Sequence, residues 1–281
     1  MKHTIWSRQL SALALALSLV FSLALPAAAL AQTPPAHSAV QTSGPSAAAP
    51  ARALPQGASQ LVNKVLANGL EVIVLEDHSI PLVTVELAVK NGSFTEPPEL
   101  NGLSHLFEHM FFKANCAFTQ HASYMEAIDQ LGILSNASTR EEIVNYFSHT
   151  TSPNLRPAML SIRDSARCPF FREQDFVQER QAVLGEIDRN ESNPGYYLNQ
   201  EMITRLFYKY PSRKNPLGNR ETVKTATTNT MRLIQSRYYV PNNSALIVTG
   251  DATPDEVFGM AEELFGDWAR AEDPFKKFPL V

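Results

Sequence analysis

The pentad His105-Leu106-Phe107-Glu108-His109 sets two histidines four residues apart with a glutamate between them. On a helix, residues i and i+4 lie one above the other, so both imidazoles reach a single ion. Glu108, at i+3, leans toward the same side and stands beside the ion's open position without serving as a ligand. Those residue types suit metal-assisted hydrolysis, with imidazoles holding zinc and a carboxylate taking a proton from water. Such a site needs a third protein ligand and an open fourth position. Glu179 and Glu186, seven apart, are candidates: they fall on one face of a helix predicted over 173–189, whose apolar side is read as Phe176, Val177, Leu184 and Ile187. Other hydrolytic or nucleotide chemistries are not signalled. There is no Gly-rich phosphate loop, and Gly102-Leu103-Ser104-His105-Leu106 lacks the second glycine of a serine nucleophile elbow.

The elements that must position these side chains are legible from periodicity. After Pro97-Pro98, the apolar residues Leu103, Leu106, Phe107, Met110 and Phe111 recur at helical spacing and predict a helix over 101–112. Phe107, Phe111 and Phe112 are assigned to packing rather than to a binding pocket. Upstream, Leu66-Ala67-Asn68-Gly69-Leu70 reads as a hairpin turn ahead of a β-branched strand over 71–75, and a second strand follows Pro81 and ends at Asn91-Gly92. A strand over 245–249 and a helix over 254–265 close the chain's folded part. The fold expected is α+β: a mixed, largely antiparallel sheet of about five or six strands with helices packed on one face, the pentad's helix lying against it.

Composition sets the bounds. The chain has 281 residues, 44% apolar, with two cysteines and a formal charge of -4. That excludes a disulfide-stapled scaffold and gives no electrostatic footprint for nucleic acid. Lys2 and Arg8 precede an apolar run over 10–25, and Ala29-Leu30-Ala31 fits a signal-peptidase site, so residues 1–31 are read as a secretory signal. Its removal takes the net charge to -6 and leaves no stable membrane anchor. The protein is then expected to be exported, periplasmic or secreted. Residues 32–57, rich in Pro, Ala and Ser, read as a flexible spacer, and 58–281 as the catalytic domain. An oxidising compartment permits a Cys116–Cys168 disulfide, but spacing alone leaves their pairing open. His78, His121 and His149 lack partners at ligand spacing and read as surface or core histidines, and Glu141 and Glu142 as solvated charges.

Several of these motifs, in order, resemble the pitrilysin/insulinase family of zinc metallopeptidases, which includes the mitochondrial processing peptidase and carries the inverted zincin pentad. Family members place a ligand glutamate about 76 residues beyond the pentad, before Ile or Leu; 76 residues lie between His109 and Glu186, which precedes Ile187. The resemblance therefore implies His105, His109 and Glu186 as ligands of one Zn2+ per chain, Glu108 as the catalytic base, and Glu179 as a partner behind the ligands. Gly92-Ser93-Phe94-Thr95-Glu96 and Gly102 look like the family's opening, and Tyr239-Val240-Pro241-Asn242-Asn243 with Gly250-Asp251 like the close of its catalytic domain. Asn136-Ala137-Ser138-Thr139 resembles the strand along which these enzymes lay a peptide substrate, with Asn136, Ala137 and Ser138 as substrate-binding residues. Peptides or unfolded segments are the substrates implied.

The departures bear on activity rather than fold. Lys113-Ala114-Asn115 stands where the family has a small Gly-Thr ending, a tolerated loop change. Nothing corresponds to the second, similarly folded half that family members use to close over substrate, so a homologous half, a partner subunit or self-association is expected to complete the site. Two rivals are weighed. One is a non-catalytic peptide-binding or assembly subunit. The other is a small-molecule metallohydrolase similar to the S-ribosylhomocysteinases, with Cys116 or Cys168 as third ligand.

Overall fold

Residues 61–210 and 213–279 are described by a computed structural model of the chain. The expected signal sequence and spacer lie outside them. The chain enters through a hairpin, β1 (Leu61–Val65) and β2 (Glu71–Glu76), whose turn is closed by Leu66 N–H donating to the Leu70 carbonyl at 2.8 Å. After β3 (Leu82–Val89) and a 3-10 turn at Pro98–Leu100 comes α1 (Leu103–Phe111), which carries the pentad. There follow α2 (His121–Gln130), β4 (Leu134–Thr139), β5 (Val144–Thr151) and α3 (Leu155–Arg167). Then come α4 (Glu173–Glu191), α5 (Pro194–Leu206), α6 (Arg220–Thr225), α7 (Thr228–Tyr238), β6 (Ser244–Gly250), α8 (Pro254–Phe265) and α9 (Pro274–Lys277).

Among the described residues the strands form one sheet in the order β1-β2-β6-β3-β5-β4, in which only β2 and β6 pair parallel. The sheet is thus mixed and largely antiparallel, and the fold is α+β. Side-chain alternation sorts its two faces. Val72, Val74, Val83, Val85, Leu87, Tyr146, Leu246 and Val248 are buried on one of them, where α1, α3 and α8 pack. α1 lies against β4 and β5, where Phe111 stacks on Tyr146 with ring centroids 3.6 Å apart. Phe107 and Phe111 are buried and Phe112 half-buried, all in packing roles.

On α4 the apolar side differs from the expectation. Phe176, Val183 and Ile187 are the buried residues, Leu184 is half-buried and Val177 is exposed. Steps of seven and eleven residues keep 176, 183 and 187 on one stripe, whereas 177 is turned about 100° from it. Cys116 and Cys168 are disulfide-bonded, with Cα atoms 5.7 Å apart, linking the segment after α1 to the segment before α4. Glu141 and Glu142 sit exposed in the β4–β5 connection. Among the described residues no helix is long and apolar enough to cross a membrane.

Candidate active site

The pentad's helix is fixed first at its start. Gly102, the N-cap, has φ 92 and packs back to back against Gly218, whose own φ is 84: a Cβ on Gly102 would come 2.6 Å from Gly218 Cα. No side chain caps the helix at Gly102, but the buried Glu96 carboxylate reaches across to it. Its Oε2 accepts from Gly102 N–H at 2.9 Å and its Oε1 from Ser104 N–H at 2.6 Å, satisfying amides the first turn leaves unpaired. Burial raises the Glu96 pKa against those same hydrogen bonds.

The far wall of the site is α4, tied to its neighbours by Arg180 donating to the Ala226 carbonyl at 3.0 Å and by Arg220 bridging Asp188 and Glu191 at 2.6 Å each. Between α1 and α4 the two histidines present their Nε2 atoms to one carboxylate. His105 Nε2 is 3.6 Å from Glu186 Oε2 and His109 Nε2 is 3.8 Å from Glu186 Oε1, with the two rings edge to face. One donor atom from each of the three residues lies within 4.8 Å of the others. Glu179, one turn pair earlier on α4, instead meets the outer nitrogen: its Oε2 is 3.1 Å from His109 Nδ1.

The electrostatics separate the four groups. Burial, with His109 adjacent, lowers the His105 pKa to about 4, so this imidazole is neutral with a free lone pair at ordinary pH. Burial also pulls on His109, but Glu179, Glu186 and Glu108 outweigh it and raise its pKa. The hydrogen bond to His109, opposed by burial and helped by Lys113, brings Glu179 down to about 2. Burial raises Glu108. Two neutral or neutralisable imidazoles and a carboxylate, half-exposed and converging, are a donor set suited to zinc. Cys116 and Cys168 are bonded to each other, so neither sulfur completes this group.

β4 is an edge of the sheet, and its last residue reaches the pentad: Thr139 Oγ1 donates to Glu108 Oε2 at 2.5 Å. Its pairing with Val144 turns Thr139 to the helix-bearing face, together with Ala137. Asn136 and Ser138 take the opposite face. There Ser138 Oγ donates to Asn145 Oδ1 at 2.7 Å, and Asn136 Oδ1 accepts from Ala137 N–H at 2.8 Å, an amide a docking strand would have to win. Sequence reasoning missed three residues of this site: Thr139, quoted within the strand but given no task; Glu96, quoted only as part of an opening motif; and Lys113, whose Nζ lies 2.7 Å from Glu179 Oε1. Only the strand's period of two held a signal, and it needed the register to be read.

Comparison with known proteins fits this geometry. The family profile described as Insulinase (Peptidase family M16) matches residues 71–221, and one described as Peptidase M16 inactive domain matches residues 225–281. The chain belongs to the insulinase family of peptidases, whose members include zinc proteases. An uncharacterized zinc protease of Rickettsia bellii is 28% identical over 207 residues, covering 74% of this chain and 50% of that one. Human insulin-degrading enzyme is 28% identical over 221 residues, 76% of this chain but 22% of its own. The crystal structure of a Helicobacter pylori protease superposes with a TM-score of 0.68 at 25% identity, over 76% of this chain and 52% of that one. The first half of the Escherichia coli periplasmic protease PqqL shares the fold, with a TM-score of 0.69 at 23% identity, over 79% and 49%. The chain thus spans about half, or less, of the relatives it matches.

Proposed function

We propose that the protein is a zinc-dependent endopeptidase that hydrolyses peptide bonds in peptides or unfolded segments. The observation that carries this reading is the convergence of His105, His109 and Glu186 within 4.8 Å beside a half-buried glutamate fastened to an edge strand. His105, His109 and Glu186 would hold one zinc ion per chain, which when bound supplies Lewis acidity toward the scissile carbonyl and the attacking water. Glu179 holds the Nδ1 side of His109 and so turns its Nε2 inward. Glu108 accepts a proton from water and returns it to the departing amine; its raised pKa suits both halves of that cycle. An extended peptide adds as a further strand along the β4 edge beside Asn136, Ala137 and Ser138, with the main-chain hydrogen bonds at Ala137, whose amide is turned away from β5. Asn136 and Ser138 turn their side chains away from Glu108 and their backbone toward β5, so they contribute by fixing the edge strand, Asn136 also holding the Ala137 amide.

The coverage of about half a relative's length supports a second homologous half, supplied by further chain, a partner subunit or self-association, as the other wall of the site. The PqqL relative is described as periplasmic, which supports export through residues 1–31, with the catalytic domain read over 58–281. The test is zinc content and cleavage of a quenched, unstructured peptide, for the chain and for Glu108→Gln. About one zinc per chain with cleavage by the wild type alone is the expected result. Zinc in both with cleavage by neither transfers the chemistry to an assembly that includes the second half. Failure to take up zinc overturns the assignment of the three ligands and leaves the non-catalytic subunit as the reading.

A further inference from the structure

Lys113 follows the C-cap of α1, yet its side chain is only 13% exposed, unusual for a lysine. Its Nζ sits 2.7 Å from Glu179 Oε1 and 3.5 Å from His121 Nε2. Glu179, itself 12% exposed, meets His109 Nδ1 through its other oxygen at 3.1 Å. The carboxylate is therefore held at both oxygens, by a fixed ammonium on one and an imidazole on the other. A carboxylate gripped at one oxygen only is free to swing about its terminal torsion, which is broad and roughly two-fold. The grip from Lys113 removes that freedom and aims Oε2 at the imidazole. The ammonium comes from the residue just past the C-cap of the helix that delivers His109, so one continuous segment supplies both the ring and the clamp on its α4 partner.

We propose that Lys113 is a positioning residue for the metal centre: by fixing Glu179 it holds His109 in the tautomer and ring orientation that present Nε2 beside His105 and Glu186. This inference rests on the zinc reading above. Partners that orient a metal-bound imidazole typically change affinity by about 10–100-fold, and Lys113 acts one bond further out, so about tenfold is expected.

The experiment is the zinc dissociation constant, by competition with a chromophoric chelator, for the wild type, Lys113→Met, Lys113→Arg, Glu179→Gln and the Lys113→Met/Glu179→Gln double variant. Lys113→Met should weaken zinc about tenfold and Lys113→Arg should restore most of the loss. The double variant should bind no more weakly than Glu179→Gln alone, a non-additivity that a general loss of stability would not produce. If Lys113→Met does not fold, Lys113→Gln takes its place in the same cycle. Wild-type affinity in the Lys113 variants, or additive losses in the double variant, overturns the proposal while leaving the zinc reading intact. Absence of zinc binding by the wild type, or zinc binding that Glu186→Gln run alongside leaves unchanged, overturns both.

Discussion

Thr139 Oγ1 donates to Glu108 Oε2 at 2.5 Å, fastening the last residue of the edge strand β4 to the carboxylate of the pentad. One short bond therefore ties the surface where a peptide would lie to the group that would move its protons. The same bond opposes burial in setting the Glu108 pKa, because it favours the ionised carboxylate. Thr139→Val removes it. The Glu108 pKa should then rise further, shifting the acid limb of the kcat/KM profile to higher pH. A hydrogen bond to a charged group is worth about 1.5–3 kcal/mol, so activity near neutrality should fall about tenfold or more, with Thr139→Ser close to wild type. A pH–rate profile for the three proteins decides it, and an unmoved acid limb would show that Thr139 does not act through Glu108.

The seating of α1 depends on two glycines in contact. A Cβ on Gly218 would lie 2.1 Å from Gly102 Cα, and both residues have positive φ. Gly132 also has positive φ, at 60, but open space around its missing Cβ. Gly132→Ala should cost only the left-handed backbone strain, about 1–2 kcal/mol. Gly218→Ala should cost more than that, because the clash is with backbone that carries the first turn of the metal helix. Urea unfolding of the two variants separates strain from clash; equal losses would mean that the Gly102–Gly218 approach is not needed.

The disulfide closes a segment with a sequence separation of 52 that contains α2, β4, β5 and α3 and ends next to the two helices of the candidate centre. Cross-links of this kind typically stabilise by about 2–4 kcal/mol. Cys116→Ser/Cys168→Ser should lose that much in denaturant unfolding, and a dithiol reductant should bring the wild type down to the same midpoint. If reductant leaves the wild-type midpoint unchanged, the two sulfurs are not joined in solution.

What was legible in the sequence was local. The helix of the pentad, the strand after Pro81 and the helix over 254–265 each follow from a period and a stop signal within a dozen residues, and the structure has them at Leu103–Phe111, Leu82–Val89 and Pro254–Phe265. The His105/His109 pair was legible for the same reason, since i and i+4 are neighbours on any helix. What was not legible depends on pairings across long stretches of chain. Nothing in the 244–250 segment says that β6 inserts between β2 and β3, parallel to one and antiparallel to the other. Once that order is set, β4 becomes an edge, Thr139 meets Glu108 from 31 residues away, and Lys113 finds Glu179 on another helix. The misjudged Val177 has the same origin: α4 is apolar on two adjacent stripes, and only its packing partner decides which is buried.

His78, which sequence spacing left without a partner, bridges two carboxylates: Nδ1 lies 2.6 Å from Asp251 Oδ1 and Nε2 2.6 Å from Glu76 Oε1. Asp251 in turn accepts from Ser152 Oγ at 2.6 Å, so the cluster joins the ends of β2 and β6 to the start of the turn after β5. Only the imidazolium donates from both nitrogens, and the hydrogen bonds to Asp251 and then Glu76 raise the His78 pKa above its ordinary 6.5. A folded-state pKa raised above the unfolded one adds stability that is fully present below the unfolded value and is lost as pH rises through the folded one. The Asp251 pKa is lowered, by Ser152 first and His78 next, so its contribution runs the other way and fades only in acid. The clip should therefore be strongest between those limits, at about pH 5–6. Comparing thermal unfolding of the wild type and His78→Gln across pH 5–9 should show a Tm difference largest at the acid end of that range and shrinking steadily above neutrality. A difference that stays constant or widens toward pH 9 would mean that the bridge holds as a neutral contact and not through the charge on His78.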